Sequence, residues 1–126
     1  MEEQQKQEIF VWLKEILEPF CVDQDIRTNN EKAYNVYGTT KADFNGKTID
    51  GQYFASVMKM KNYVGFYFFP IYTHKDEFTK EDYPVLLKCL KGKSCFHIKK
   101  IDTELSKEIS QILKSGANLY TSLGWR

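Results

Sequence analysis

The sequence contains few cysteines, and their arrangement disfavours a disulfide framework. Its 126 residues include three cysteines, Cys21, Cys89 and Cys95, an odd number with no Cys-x-x-Cys pair. Small secreted domains that rely on disulfides usually carry an even number of cysteines at close spacings. We therefore expect three reduced thiols.

Long apolar runs are also absent, and the first residues are acidic and polar. The most apolar stretch, residues 63–69, is far shorter than the ~18 residues that indicate a membrane-spanning helix. The chain begins Met-Glu-Glu-Gln-Gln, which is unlike the basic start of a secretory signal or an arginine-rich transit peptide. These features predict a cytoplasmic protein with no membrane partner.

Neither sign of charge is in large excess, although the charges are unevenly distributed. The net charge is +1, but residues 1–25 are rich in carboxylates and residues 88–100 contain five lysines and no acid. An electrostatic field that is negative near one segment and positive near another influences the encounter with partners more than it influences the fold. Because the overall balance is near neutral, we expect the lysine block to be a solvated strand edge, and a nucleic-acid partner is disfavoured.

The apolar pattern predicts one α+β domain that spans residues 1–126. Apolar residues at helical spacing predict helices at residues 3–18, ended by Pro19, and after a cap at Asp102 or Thr103. Between them lie predicted strands at 32–37, 42–44, 47–49, 52–60, 63–69 and 94–100, and a short helix that begins at Pro84. We expect a two-layer sandwich in which the N- and C-terminal helices pack on one face of an antiparallel sheet.

Residues 53–72 hold eight of the nineteen aromatic residues, which raises the question of what so much ring surface is for. A two-residue turn at Lys61-Asn62 predicts one buried face, formed by Tyr53, Ala55, Val57, Val64, Phe66 and Phe68. The opposite face is mixed, and its large side chains are suited to recognition of a partner. The predicted partner-binding residues are Phe54, Met58, Tyr63, Tyr67 and Phe69. Burial of this face in a homodimer or under a terminal segment is the alternative, so the chain is expected to be a monomer or a weak homodimer.

The first predicted helix carries Glu8, Glu15 and Glu18 on the side opposite its apolar stripe. Glu8 and Glu15 are about 10 Å apart along the helix axis, so they cannot clamp one small cation together. Any metal bound here would be held weakly by oxygen ligands and partly hydrated. The alternative is an ordinary solvated helix face.

Cys95 and His97 point to one side of a predicted strand, which is compatible with a metal site or a nucleophilic pair. Zinc needs further ligands, which Cys21, Cys89 and His74 would have to supply from separate segments. A catalytic cysteine needs an orienting third group that the sequence does not reveal. We therefore expect neither a zinc site nor an enzyme.

Three segments carry a family resemblance: Tyr-Phe-Ala-Ser-Val at residues 53–57, Tyr-Val-Gly-Phe-Tyr-Phe-Phe-Pro-Ile-Tyr at 63–72 and Gly-Lys-Ser-Cys-Phe-His-Ile-Lys at 92–99. The chain resembles, over about residues 31–125, the YdhG-like family of bacterial domains of unknown function, which is related by fold to frataxin and the YjbR/CyaY-like proteins. The resemblance implies a non-enzymatic adaptor in iron handling or iron-sulfur assembly, with no tightly bound cofactor. Fe(II) would be bound weakly at Glu8, Glu15 and Glu18, and a protein partner would contact the open sheet face. A module that binds a protein or small ligand without metal is the alternative.

Overall fold

Along the chain, one long helix precedes the strands of an antiparallel sheet and a second long helix follows them. The computed structural model describes residues 1–126. The helices are α1 (Glu3–Leu17), the single turn α2 (Pro70–Thr73) and α3 (Thr103–Leu123). The strands are β1 (Asp25–Asn29), β2 (Ala33–Tyr37), β3 (Ala42–Phe44), β4 (Lys47–Ile49), β5 (Tyr53–Lys59), β6 (Val64–Phe68), β7 (Leu90–Lys91) and β8 (Cys95–Ile98). Three 3₁₀ turns cover Glu18–Phe20, Lys75–Glu77 and Leu86–Cys89.

Six of the strands form one sheet in the order β1-β2-β5-β6-β8-β7, and every neighbouring pair is antiparallel. The remaining two, β3 and β4, form a separate hairpin. The predicted α+β class with an antiparallel sheet is confirmed. No helix combines the length and the apolar character that crossing a bilayer requires.

Helix α1 supplies one part of the core. It buries Ile9, Phe10, Leu13 and Leu17 and gives way to the first 3₁₀ turn, which contains Pro19. This is the predicted helix, and its end agrees with the inability of proline to continue a helical ladder. Helix α1 contacts both β5 and α3, so it covers the middle of the sheet.

Helix α3 supplies the other part of the core and begins at the predicted cap. An Asp102 carboxylate oxygen accepts a hydrogen bond from the Leu105 backbone N–H at 3.4 Å, which satisfies one of the free donors of the first turn. At Gly116 the helix approaches the sheet closely, because a Cβ atom there would lie 2.5 Å from Cζ of the buried Phe68. Only glycine fits this contact without a shift of the ring.

The aromatic ribbon folds as the predicted hairpin. The Met60 N–H donates to the Tyr63 carbonyl at 2.9 Å across the Lys61-Asn62 turn, and Val57 faces Phe66 in the ladder. The predicted inward residues of this hairpin other than Tyr53 are all buried at 1% exposure or less: Ala55, Val57, Val64, Phe66 and Phe68. The buried face was therefore predicted correctly for most of its length.

At the start of β5 the predicted faces of Tyr53 and Phe54 were wrong. Val36 pairs with Ala55 but the next residue, Tyr37, pairs with Tyr53, so Phe54 is an extra residue in a β-bulge. A bulge reverses the alternation of side chains before it. Phe54 is therefore 1% exposed, and its ring centroid lies 5.3 Å from that of Tyr120 in α3. Tyr53 instead lies beside Tyr37, with ring centroids 5.2 Å apart.

Two connections differ from prediction in their detail. Strand β1 (Asp25–Asn29) is not among the predicted strands, the first of which begins at residue 32. The helix expected from Pro84 is only the 3₁₀ turn Leu86–Cys89. The buried carboxylate of Glu108 in α3 stabilises this turn by accepting hydrogen bonds from the backbone N–H groups of Val85 and Leu86, the latter at 2.8 Å.

Candidate functional site

The sheet surface on the side opposite the buried residues of β5 and β6 is the candidate site, and its composition follows from the strand register. Directly paired residues lie on the same side of an antiparallel sheet. One row across the sheet is Asn35, Ser56, Tyr67, Cys95 and Lys91, and the next is Ala33, Met58, Gly65 and His97. We call these two rows, with Tyr63 beside His97, the open face. Its large side chains, Met58, Tyr63, Tyr67 and His97, are half-buried and keep part of their surface in solvent.

Gly65 leaves room on the open face for the ring of Tyr67. A Cβ atom at this position would lie 2.7 Å from Cε1 of Tyr67, so the tyrosine ring occupies the space that a side chain would fill. Met58 pairs directly with Gly65, and Ser56 pairs directly with Tyr67. The result is an aromatic ring laid flat on the sheet next to a flexible thioether, a combination typical of adaptable binding surfaces.

His97 is packed against an aromatic ring. The rings of Tyr63 and His97 are stacked, with centroids 3.6 Å apart and planes inclined at 13°. Partial burial, and then the positive charges of Lys91 and Lys99, hold the pKa of His97 below its usual value. The imidazole is therefore neutral at physiological pH, and the stacked Tyr63 and His97 rings form a flat surface.

Two further titratable side chains of the open face, Tyr67 and Cys95, also remain neutral. Burial, aided by the neighbouring thiol of Cys95, raises the pKa of Tyr67 to about 12. Burial likewise raises the pKa of the Cys95 thiol, although a hydrogen bond with Tyr67 opposes the effect. A neutral thiol is a weak nucleophile, because the thiolate is the reactive form. These pKa directions disfavour a reactive thiolate at Cys95.

A basic cleft adjoins the open face at His97 and Lys91. The cleft has a volume of about 300 Å³, and a single carboxylate, Asp102, lies in its wall. That carboxylate already caps α3. The other charged or titratable side chains that line the cleft are Lys88, Lys91, Lys99, Lys100, Cys89 and His97. Burial is the main reason that the pKa of Cys89 is raised, so this thiol adds no negative charge.

The structure separates the five predicted partner-binding residues into three groups. Met58, Tyr63 and Tyr67 lie together on the open face. Phe69 is half-buried beside Tyr53 and beneath Phe44 of the β3–β4 hairpin, with ring centroids 5.5 and 5.9 Å away. Phe54 is in the core and cannot contact a partner, so its assignment was wrong.

The three predicted metal-binding glutamates are exposed, and none forms an ion pair within the chain. Glu8 and Glu15 belong to α1, whereas Glu18 opens the 3₁₀ turn that follows. By contrast, Glu3 contacts both Lys59 and Lys6, and these contacts, the one with Lys59 first, lower its pKa. No group of three or more His, Cys, Asp or Glu side chains is placed to hold a metal ion.

Comparison with known protein families, with curated protein sequences and with solved structures finds no match for this chain.

The sequence pattern missed how the lysine block meets the aromatic ribbon. Lys91 and Cys95 are paired across β7 and β8, and Cys95 is in turn paired with Tyr67. The row of the open face that contains Tyr67 therefore ends in a lysine. The alternation of Cys95 and His97 in the sequence placed both on one side of a strand, and this prediction is confirmed. The missing information was the order of the strands, which determines what that side faces.

Proposed function

We propose that this protein is a non-enzymatic binding module whose open face docks an acidic protein segment with apolar anchor residues. The observation that carries this proposal is that the aromatic side chains of the open face lie next to a lysine-rich cleft. His97 and Lys91 belong to both. Aromatic and methionine side chains would supply contact area, since such residues dominate binding energy in protein interfaces. The lysines would attract the acidic part of the partner and set its orientation.

Charge is the reason for preferring an acidic partner. Lys88, Lys91, Lys99 and Lys100 line the cleft, and Asp102, its single carboxylate, is committed to capping α3. On the open face itself, the neutral forms of Tyr67, Cys95 and His97 leave no negative charge to repel a carboxylate. A basic segment would be repelled by the lysines of the cleft, and no free carboxylate there would offset this repulsion.

A peptide selection tests this proposal. A random peptide display library is panned on the immobilised protein, the enriched consensus is synthesised, and its site is mapped by amide chemical-shift changes. We expect a consensus rich in Asp, Glu and apolar residues, with shifts at Met58, Tyr67 and His97. The double variant Tyr63→Ala/Tyr67→Ala should weaken binding at least about tenfold, whereas the control Val22→Ala, at a side chain 70% exposed outside the face, should not.

Three results would overturn the proposal. These are a consensus without acidic bias, shifts that fall outside the open face, and tighter binding of a deoxythymidine decamer than of the peptide at the same salt concentration. The last result would indicate a nucleic-acid site, because a basic patch with stacking rings can also bind single strands. A fourth result would also overturn it: concentration-dependent dimerisation that broadens only open-face amides would indicate a second copy of this chain as the occupant.

Weak Fe(II) handling is a second candidate function, and one observation favours it. Glu8, Glu15 and Glu18 are exposed carboxylates that no cation of the chain neutralises, so all three are free to accept a metal. Anaerobic addition of Fe(II) should shift or broaden amides of α1 in the native protein and not in the Glu8→Gln/Glu15→Gln/Glu18→Gln variant. An unchanged spectrum at millimolar Fe(II), or an equal response from the triple variant, would remove this candidate.

A further inference from the structure

A groove on a different part of the molecule has the composition of a small-molecule site. It has a volume of about 700 Å³ and lies between the α2 region and the segment that contains β7. This volume is within the range of about 300 to 1,000 Å³ that is typical of ligand pockets. None of its lining residues belongs to the open face, so the groove is independent of the proposed partner site.

The floor of the groove is apolar. Ile71 and Phe78 are each only 4% exposed and form part of the core cluster, and Leu87 and Leu90 are half-buried at its edge. The ring of Tyr72, 46% exposed, forms a wall. An apolar ligand body that covered these side chains would remove the exposed part of this surface from water, which is favourable by about 25 cal/mol per Å².

The rim of the groove is basic. Lys75, Lys80 and Lys93 line it, and Asp76 is the single carboxylate among the lining residues. The Lys93 ammonium lies 5.6 Å from the centroid of the Tyr72 ring, which places a positive charge directly over the apolar wall. None of the three lysines is neutralised by an ion pair within the chain.

We propose that this groove binds an amphipathic monoanion, namely an alkyl or aromatic carboxylate whose apolar body covers the floor. The carboxylate would lie at the rim beside Lys93, where charge-assisted hydrogen bonds to ammonium groups are available. With three lysines and one carboxylate, the rim keeps a net positive charge, which favours an anionic head group there. A cationic amphiphile would satisfy the floor and be repelled by the rim.

Decanoate, used below its micellar concentration, is the probe that tests the groove. Titration of the ¹⁵N-labelled protein should shift the amides of Tyr72, Leu87 and Leu90 in a saturable manner. Decyltrimethylammonium has the same chain with the opposite charge, and it should not produce these shifts. Binding of decanoate should weaken at least about tenfold in the triple variant Lys75→Gln/Lys80→Gln/Lys93→Gln.

A matched variant distinguishes binding of decanoate by the rim lysines from its general attraction to a positively charged protein. Lys88→Gln/Lys91→Gln/Lys100→Gln removes the same number of positive charges from the basic cleft outside the groove, and decanoate binding should stay within about twofold of the native protein. The Tyr72→Ala variant, which alters an exposed wall and leaves the core intact, should also weaken binding. The proposal is overturned if decanoate leaves the groove amides unshifted, if both lysine variants weaken binding equally, or if the cationic amphiphile binds as tightly.

Discussion

The ring of Tyr63 is stacked on the ring of His97 with centroids 3.6 Å apart, and this contact joins the turn after β5 to the strand that borders the basic cleft. The stack shields one side of the imidazole, while Lys91 and Lys99 place positive charge nearby. Both effects disfavour the imidazolium form of His97. The stack therefore links the shape of the open face to its charge.

The first prediction concerns the titration of His97. Its midpoint should lie below the usual value of about 6.5, and it should rise in Tyr63→Ala, which reduces the burial of the ring, and in Lys91→Gln/Lys99→Gln, which removes the neighbouring charges. Because the folded state holds this pKa down, protonation favours the unfolded chain. The contribution of His97 to stability is therefore lost as the pH falls below about 6.5 toward the folded-state pKa. Imidazole chemical shifts measured from pH 4 to 9 check the prediction, and a midpoint at or above the usual value would contradict it.

The second prediction contrasts two residues that the sequence assigned to the same face. Phe54→Ala should lower the free energy of unfolding by about 3 to 5 kcal/mol, because it leaves a cavity between β5 and α3. Met58→Ala, on the open face, should cost only about 1 kcal/mol. Urea unfolding monitored by tryptophan fluorescence measures both values. Similar losses in the two variants would mean that Phe54 and Met58 share an environment, contrary to the bulge.

The third prediction concerns the buried carboxylate of Glu108. Glu108→Ala should cost about 2 to 3 kcal/mol, because it leaves the Val85 and Leu86 N–H groups without their acceptor. Glu108→Gln keeps one acceptor oxygen and should cost less. Gln111→Ala, at an exposed position of the same helix, is the control and should be close to neutral. In Glu108→Ala, amide hydrogen exchange should accelerate at Val85 and Leu86 first; uniform acceleration across the chain would count against a local role.

The fourth prediction concerns the close approach at Gly116. Alanine is the better helix former by about 1 kcal/mol, yet Gly116→Ala should destabilise the fold because its Cβ would overlap the Phe68 ring. We expect a net loss of about 1 to 3 kcal/mol. Asn118→Ala, exposed on the same helix, should gain a few tenths of a kcal/mol. Thermal unfolding of the two variants provides the comparison, and a stabilised Gly116→Ala would show that the ring can move without cost.

The features that were predicted correctly depend on short-range signals. Asn45 and Gly46 adopt φ values of 51° and 77°, as a two-residue hairpin turn requires, and they sit between the predicted strands β3 and β4. Pro19 and Asp102 lie at the predicted ends of helices. In each case the residue itself restricts the backbone or satisfies a free hydrogen-bonding group, so no tertiary information is needed.

The features that were missed depend on contacts between distant segments. The bulge that buries Phe54 is accompanied by a hydrogen bond from the Tyr120 hydroxyl to the Tyr53 carbonyl at 2.7 Å, between residues that are 67 positions apart in the chain. Strict alternation along β5 cannot reveal such a partner. The lysine-rimmed groove is likewise assembled from residues 71–80 and 87–93, which are separate in sequence.

Intermolecular extension of the sheet is disfavoured at both of its edges. At one edge β7 is only two residues long, and at the other the register of β1 shifts around Arg27, whose guanidinium donates to the Asp50 carbonyl and covers the Tyr37 ring. Short or irregular border strands offer little continuous backbone to an incoming chain. Association of several copies through backbone hydrogen bonds at the sheet edges is therefore disfavoured in this protein. A partner has to be recognised through side chains and not by adding a strand to the sheet.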